Sequence, residues 1–211
     1  MSKYDMILWD FDGTLADTLA GLLRLFNELA AAYDFAPLTD PHAARELPLR
    51  QLLKQQRVPV WRLPRLMRHF LEAQQSQMPT TRLYEGLCPL LEELSSCGLA
   101  LGVVSSNSAD NVRACLQANG VEQRFAVVVG YRRLFGKHRA LARVSRQRQL
   151  DPRRVLYVGD EVRDIEAARR AQMEICSVTW GVNSRTLLAR HEPDYLIDRP
   201  AQFLDVIEQC S

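Results

Sequence analysis

Two carboxylates, two residues apart after an apolar run, are the first residues of the chain that could do chemistry. Asp10 and Asp12 follow Met6-Ile7-Leu8-Trp9 in the segment ILWDFDGTLADT. On an extended backbone, residues i and i+2 point to the same face, so the two charges would lie a few ångströms apart in a poorly solvated place. Such a pair requires a compensating charge, or a proton on one of the two groups.

A second acidic pair stands where it could meet the first. In VGDEVRDIEAARRA, Asp160 ends an apolar run and Asp164 comes four residues later near the start of a helical segment, so the two can share a face. Acidic groups that converge on one crevice repel each other unless a cation lies among them. With oxygen ligands only, and no His or Cys nearby, we expect a hard cation, Mg²⁺ rather than zinc.

Groups that could bind phosphate follow two other apolar runs. Ser105, Ser106 and Asn107 supply hydroxyl and amide groups. They stand just before a helix start at 108–110, whose backbone N–H groups favour anions. Lys137, in FGKHRAL, supplies positive charge on a loop after the next apolar run. Taken alone, the polar residues before the helix would be ordinary helix caps, and the lysine would be solvated. Their joint position after buried strands predicts a phosphate site beside the metal.

The elements that must position these residues alternate along the chain. Short apolar runs without polar alternation are typical of strands buried on both faces of a parallel sheet, and helical segments between them predict a doubly wound, Rossmann-like α/β fold. The carboxyl ends of such strands meet at one crevice, where ligands bind. The predicted strands are 6–9, 99–104, 125–129, 155–158 and, more weakly, 175–179. The predicted helices are 87–97, 110–119, 139–149 and 162–172.

The segment 18–81 has a different pattern. It contains no strand-like run, its apolar residues recur at helical spacing, and six prolines divide it into short helices. Two crossover helices are the alternative, but a single crossover rarely needs about 60 residues. We therefore predict an all-helical cap over 18–81, inserted into a core that comprises 1–17 and 82–211.

Four motifs of the chain resemble those of a known family. DFDGTLADT, VVSSN, GKHRAL and VGDEVRD are similar, in order and spacing, to the motifs of the haloacid dehalogenase-like hydrolase superfamily, and most closely to its phosphoglycolate phosphatase-like branch with a helical cap. The resemblance covers essentially the whole chain. It implies a Mg²⁺-dependent phosphatase that works through an aspartyl-phosphate. The dehalogenases lack the second acid of the first motif, so Asp12 favours phosphoryl chemistry over carbon–halogen chemistry.

The resemblance also implies roles for the acidic residues. Asp10 would be the nucleophile, and Asp12 the general acid and base. Asp10, the backbone carbonyl of Asp12 and Asp160 would hold Mg²⁺. Asp164 would support them from a second layer.

The remaining motif residues would bind the transferring phosphoryl group. Ser105 and Lys137 would contact it and offset its charge, with the neighbouring Ser106 as the alternative hydroxyl. Thr14 would form a hydrogen bond near the nucleophile, and Gly13 would allow the sharp exit from the strand.

Two basic stretches raise the question of the substrate. Residues 47–71 contain six Lys or Arg and no acid, and 132–154 contain nine against one Asp. One interpretation is a solvated helix face. The other is that the cap meets an anionic substrate beyond the reacting phosphate, with Arg45 and Arg50 as the first candidates. Nucleic acid is not predicted as a partner, because no aromatic side chains are interleaved with the charges.

The leading hypothesis is a phosphomonoesterase for a small, anionic phosphorylated metabolite such as phosphoglycolate or a sugar phosphate. One alternative is a phosphosugar mutase or a phosphonate hydrolase on the same scaffold; the latter would need Lys54, the lysine of the cap, for a Schiff base. Another is a non-catalytic protein that senses phosphate, although an inert binder would have no need of Asp12.

Composition limits the cellular setting. A net charge of +2 and a pI near 8.3 are too mild to indicate nucleic-acid binding. The five cysteines are scattered and show no metal-binding spacing, which predicts reduced, mostly buried thiols. No apolar run approaches ~18 residues. We predict a soluble, cytoplasmic protein with no membrane partner, as a monomer or homodimer.

Overall fold

A computed structural model of the protein describes residues 3–131 and 133–208, so that Arg132 of the second basic stretch and Cys210 lie outside the described residues. Within those ranges, six strands form one parallel sheet in the order β3-β2-β1-β4-β5-β6. The strands are β1 (Met6–Trp9), β2 (Ala100–Ser105), β3 (Phe125–Gly130), β4 (Val155–Gly159), β5 (Glu174–Val178) and β6 (Tyr195–Ile197).

Helices connect the strands and cover both faces of the sheet. The α-helices are α1 (Leu19–Tyr33), α2 (Pro41–Arg45), α3 (Leu49–Gln55), α4 (Leu63–Gln75), α5 (Leu87–Ser96), α6 (Ala109–Ala118), α7 (Lys137–Gln147), α8 (Val162–Arg170), α9 (Arg185–Arg190) and α10 (Gln202–Glu208). Short 3₁₀ helices are formed by Val60–Arg62, Met78–Thr80, Glu122–Arg124 and Pro152–Arg154.

The strand order creates a crevice between β1 and β4. From β1 the chain moves to β2 and β3 on one side, and then returns to place β4, β5 and β6 on the other side of β1. Such a reversal of direction leaves the crevice at the carboxyl ends of the two central strands uncovered by crossing connections. Asp10 and Asp160, the residues directly after β1 and β4, therefore lie at this point.

The central strand shows why these residues form a sheet buried on both faces. Ile7 and Trp9 belong to an apolar cluster on one face, whereas Met6 and Leu8 belong to the cluster on the other face, and all four are at most 1% exposed. Burial of apolar surface on both sides favours a continuous apolar run over an alternating one.

The segment between β1 and α5 is helical. Residues of α1, α3 and α4 and of the loops between them form a third apolar cluster, which includes Tyr33, Phe35 and Leu66 and against which Leu134 and Phe135 pack. The predicted fold class, a doubly wound parallel α/β sheet with a helical cap inserted after the first strand, is confirmed. The boundaries at 17/18 and 81/82 stay a prediction.

The structure corrects three details of the predicted elements. Lys137 is the first residue of α7 and not a loop residue, because Gly136 adopts a left-handed conformation (φ 98°) that starts the helix there. Strand β6, only three residues long, was not predicted. Strand β3 is an edge strand and mostly half-buried, so it is not covered on both faces as the apolar run indicated.

The described cysteines are free, as predicted, but only Cys115 and Cys176 are buried, while Cys88 and Cys97 are exposed. Among the described residues, no helix combines the length and the apolar composition that crossing a membrane would require.

Candidate active site

Asp10 is buried against a lysine at the end of the central strand. One carboxylate oxygen accepts a hydrogen bond from the backbone N–H of Phe11 (2.8 Å), and the other accepts one from Nζ of Lys137 (2.5 Å). Burial, together with the negative charge of the neighbouring Asp164, raises the pKa of Asp10 to about 7, although the ammonium of Lys137 opposes the increase. Burial alone would lower the pKa of Lys137, but the two carboxylates together raise it, so this lysine is charged.

Asp164 accepts hydrogen bonds both from Lys137 and from the backbone at the start of α8. One of its oxygens accepts a hydrogen bond from Lys137 (2.5 Å), and the other accepts from the backbone N–H groups of Asp160 (3.2 Å) and Glu161 (3.1 Å). It is the third residue of the helix and forms a capping box with Glu161. The spacing of Asp160 and Asp164 thus serves the helix start as well as the site.

Asp160 completes the acidic cluster. Its carboxylate accepts hydrogen bonds from Oγ1 of Thr14 (2.6 Å) and from the backbone N–H of Val182 (2.6 Å). Burial raises the pKa of Asp160 well above its usual range, and the negative charges of Glu161, Asp164 and Asp10 add to this effect.

The cluster has the chemistry of a site for a hard cation. Ligand oxygens of Asp10, Asp160 and Asp164 lie within 4.8 Å of one another, and all three residues are buried. Three carboxylates face one charged lysine, which leaves negative charge in a poorly solvated place. An all-oxygen donor set of this kind fits Mg²⁺, and these three residues could hold it.

Two glycines allow the backbone to approach Asp160. At Gly13 (φ 78°) an added Cβ would lie 2.4 Å from a carboxylate oxygen of Asp160, and at Gly181 it would lie 2.2 Å from the Cβ of Asp160. The left-handed conformation of Gly13 also turns the chain sharply away from the strand, as predicted from the motif.

Asp12 has a different set of partners. Its two oxygens accept hydrogen bonds from Nε2 of Gln74 (3.2 Å) and Nδ2 of Asn107 (3.0 Å), and Asn107 also donates to Oε1 of Gln74 (3.0 Å). Burial raises the pKa of Asp12, and these amide hydrogen bonds oppose the increase. The two acids of the first motif therefore share no hydrogen-bond partner; β1 ends at Trp9, and a turn over residues 13–15 follows Asp12.

The predicted phosphate-binding residues occupy three different positions. Ser105, the last residue of β2, is fully buried, and its Oγ accepts a hydrogen bond from the N–H of Asn107 (3.0 Å). Ser106 is half-buried and lines the cavity described below. Thr14 donates to Asp160, at the acidic cluster.

The predicted cap arginines point to different places. Arg45 lines the cavity, but its guanidinium donates to the carbonyl of Thr179 in the core (2.9 Å). Arg50 is exposed and stacks on the ring of Phe135, with 4.4 Å between Cζ and the ring centroid. Arg50 is not among the residues that line the cavity.

A cavity of about 410 Å³ lies between the helical segment and the strand ends. Asp12, Asn107 and Gln74 line it on one side. Helices α1, α3 and α4 supply most of the remaining lining, which consists largely of leucine, phenylalanine and methionine side chains.

Two of these residues were missed by sequence reasoning. Gln74 reaches the site from α4, and an isolated glutamine in a helix gives no signal of such a role. Arg163, in α8, also lines the cavity and donates to Glu161 (2.5 Å) and to the carbonyl of Leu134 (2.9 Å). In the sequence, a role for Arg163 in the site was indicated only by its position between Asp160 and Asp164 in the fourth motif.

Known sequences match the chain over nearly its full length. The family model of haloacid dehalogenase-like hydrolases matches residues 7–178. A phosphoglycolate phosphatase of Synechococcus elongatus is 34% identical, with 96% of this chain and 97% of the relative covered. An N-acetylmuramic acid 6-phosphate phosphatase of Pseudomonas aeruginosa is 26% identical, with 97% and 95% covered.

Solved structures share the fold. The crystal structure of a predicted phosphatase from Clostridium acetobutylicum has a TM-score of 0.84 at 19% identity, with 98% of this chain and 99% of that chain covered. That of a predicted phosphoglycolate phosphatase from Haemophilus somnus has a TM-score of 0.77 at 23% identity, with 98% and 99% covered. The predicted family and enzyme class, a phosphoric monoester hydrolase, are confirmed. The chain belongs to the haloacid dehalogenase-like hydrolase family, in its phosphoglycolate phosphatase-like branch.

Proposed function

We propose that the protein hydrolyses a phosphate monoester through a covalent aspartyl-phosphate on Asp10, with Mg²⁺ as cofactor. The observation that supports this most strongly is the buried cluster in which Lys137 pairs with Asp10 and Asp164 while Asp160 lies beside them. Burying several carboxylates against one lysine is unfavourable for folding, and it is explained if the cluster serves a reaction.

Asp10 and Asp12 divide the reaction between them. A carboxylate oxygen of Asp10 forms a bond to phosphorus while the ester P–O bond breaks, and Asp12 gives its proton to the departing oxygen. Water then attacks phosphorus, Asp12 takes its proton, and Asp10 departs as a free carboxylate with release of inorganic phosphate. The hydrogen-bond partners support these roles. Asp10 lies against the ammonium of Lys137, which stabilises its charged form, whereas Asp12 is held by the neutral amides of Gln74 and Asn107. Burial raises the pKa of both carboxyl groups.

Other residues orient the phosphoryl group and the cation. The hydroxyl oxygen of Ser105 already accepts a hydrogen bond, so its hydrogen is free to be donated to a phosphoryl oxygen. Lys137 offsets negative charge there. Asp10 and Asp160, with Asp164 in support, would hold Mg²⁺, which supplies charge stabilisation for the phosphoryl oxygens when bound.

The leaving group would occupy the cavity beside Asp12. The names of the relatives, a phosphoglycolate phosphatase and an N-acetylmuramic acid 6-phosphate phosphatase, support the predicted class of small phosphorylated metabolites, and both esters belong in a substrate panel. The phosphonate hydrolase alternative gains no support, because Lys54 is exposed and does not line the cavity. The non-catalytic alternative leaves the two amides that hold Asp12 without a purpose. The cytoplasmic location and the oligomeric state stay predictions.

Phosphate release from a panel of esters, with Mg²⁺ present, tests the proposal on the intact protein and on Asp10→Asn. We expect turnover by the intact protein and a loss of roughly 10³-fold or more in kcat in the variant, since it removes the nucleophile. Mass spectrometry of acid-quenched samples should detect one added phosphoryl group in the intact protein only. Full activity in Asp10→Asn would refute the assignment of the nucleophile.

A further inference from the structure

Apolar side chains that do not pack in the protein core line the cavity beside Asp12. On helices α1, α3 and α4, seven of them are half-buried and belong to none of the three apolar clusters of the fold. They are Leu19, Leu22, Leu23, Leu52, Met67, Phe70 and Leu71. Leaving this much hydrocarbon beside water is unfavourable, which indicates that an apolar group covers it.

Both arginines that line the cavity already donate hydrogen bonds to protein groups. Arg163 donates to the carboxylate of Glu161 and to a backbone carbonyl, and Arg45 donates to the carbonyl of Thr179. The remaining basic residue of the lining, His42, is an exposed side chain. A leaving group with its own carboxylate would need a cation that is available to pair with it.

The size of the cavity is also large for a two-carbon leaving group. A volume of about 410 Å³ lies in the range of ~300–1,000 Å³ in which proteins bury drug-sized ligands. Glycolate would fill only a small part of it. The lining also contains polar side chains, namely Asp12, His42, Arg45, Gln74, Ser106, Asn107, Glu161 and Arg163, but apolar side chains form most of it. Sugar hydroxyls would therefore lack partners over most of the wall.

We propose that the preferred substrate is a phosphate monoester with an extended hydrocarbon leaving group, bound between α1, α3 and α4. This inference rests on the proposed function and names its substrate class. The phosphate lies at Asp10 and the ester oxygen near Asp12. The hydrocarbon then covers the leucine, methionine and phenylalanine side chains of the helices.

A series of straight-chain alkyl phosphates, from methyl to octyl, tests this on the full chain with Mg²⁺. We expect kcat/KM to rise by roughly fourfold per added methylene until the cavity is full, because each buried methylene contributes a constant transfer free energy. The value for octyl phosphate should exceed those for phosphoglycolate and glucose 6-phosphate. A flat or falling series overturns the inference, while turnover of the short esters leaves the proposed function intact.

A binding measurement separates the two proposals. Alkyl phosphonates contain a carbon–phosphorus bond in place of the ester, so calorimetric titration reports binding without turnover. We expect Kd to fall with chain length, and a Kd independent of length overturns the inference. If phosphonates bind in this way but no ester is hydrolysed, the proposed function fails and the apolar site stands.

A polar substitution in the cavity provides a matched pair of variants. Leu23→Gln should lower kcat/KM for octyl phosphate by roughly tenfold and leave that for methyl phosphate within about twofold, because only the long chain reaches this wall. Glu28→Gln, an exposed change on the same helix, should alter neither value. Equal losses for both esters in a folded Leu23→Gln protein would contradict the inference.

Discussion

The acidic cluster at the strand ends and the apolar cavity beneath the cap helices are two halves of one site that are built in opposite ways. In the cluster, Lys137, Asp10, Asp160 and Asp164 are at most 3% exposed and each is held by hydrogen bonds to backbone or side-chain groups. In the cavity, half-buried leucine and phenylalanine side chains face open space. The hydrogen bonds of the cluster fix its charged groups before a substrate binds, whereas the open space of the cavity leaves room for a ligand.

This difference separates chemistry from selection of the leaving group. The cluster is built from residues that follow β1 and β4 and from the first turns of α7 and α8. The cavity wall comes largely from helices inserted between β1 and β2. Hydrogen bonds between the side chains of Asp12, Gln74 and Asn107 join the strand ends to helix α4 of the cavity wall. Changes to the wall should therefore alter which ester is used and leave the reaction itself unchanged.

The substitution with the largest expected effect tests whether Asp12 belongs to the chemical half. Asp12→Asn removes the proton donor, and kcat/KM for alkyl phosphates, which reports the steps up to formation of the aspartyl-phosphate, should fall by about 10²–10⁴-fold. The loss in kcat/KM for p-nitrophenyl phosphate should be much smaller, because its leaving group needs no proton. Binding of octyl phosphonate should change by less than about threefold. An equal loss in kcat/KM for both classes of ester, measured by steady-state kinetics, would contradict the assignment of Asp12 as the general acid.

The next prediction concerns stability, and its expected effect is smaller than that of Asp12→Asn. It compares the buried cluster with an ion pair on the protein surface. Lys137→Met leaves two buried carboxylates, Asp10 and Asp164, without their cation, and the free energy of unfolding without added metal should fall by about 3–5 kcal/mol. The control is Arg185→Met, which breaks an exposed pair with Asp198 and should change stability by no more than about 1 kcal/mol. Urea denaturation measures both. Similar values for the two variants would show that the cluster carries no unbalanced charge.

The chemical half could be predicted from the sequence because its residues follow strands that are recognisable locally. Asp10 and Asp160 stand directly after apolar runs whose burial requires no knowledge of the rest of the fold. The separate hydrogen-bond partners of Asp10 and Asp12 could not be predicted. Those of Asp12 are Gln74 and Asn107, which lie 62 and 95 residues away along the chain, so they depend on how the helical segment packs against the strand ends.

The wall of the cavity could not be predicted from the sequence. Apolar spacing in 18–81 predicts helices, but it does not distinguish a side chain that packs in a core, such as Leu66, from one that faces a cavity, such as Leu23. The same limit applies to Gln74, whose partners are 33 and 62 residues away along the chain. Arg45 and Arg50 were chosen by charge, and the structure gives them a backbone carbonyl and an aromatic ring as partners.

Binding of Mg²⁺ without substrate should raise the free energy of unfolding through the acidic cluster and not through the cavity. A cation that enters the cluster relieves repulsion among Asp10, Asp160 and Asp164 in the folded state alone. At a concentration of about 100 times Kd, it should raise the free energy of unfolding by about 2.7 kcal/mol. Differential scanning fluorimetry with Mg²⁺ and with EDTA measures the shift. Asp160→Asn should abolish most of the increase, whereas Leu23→Gln should retain it, because the cavity wall contributes no ligand. Loss of the shift in both variants would mean that the two halves of the site are not independent.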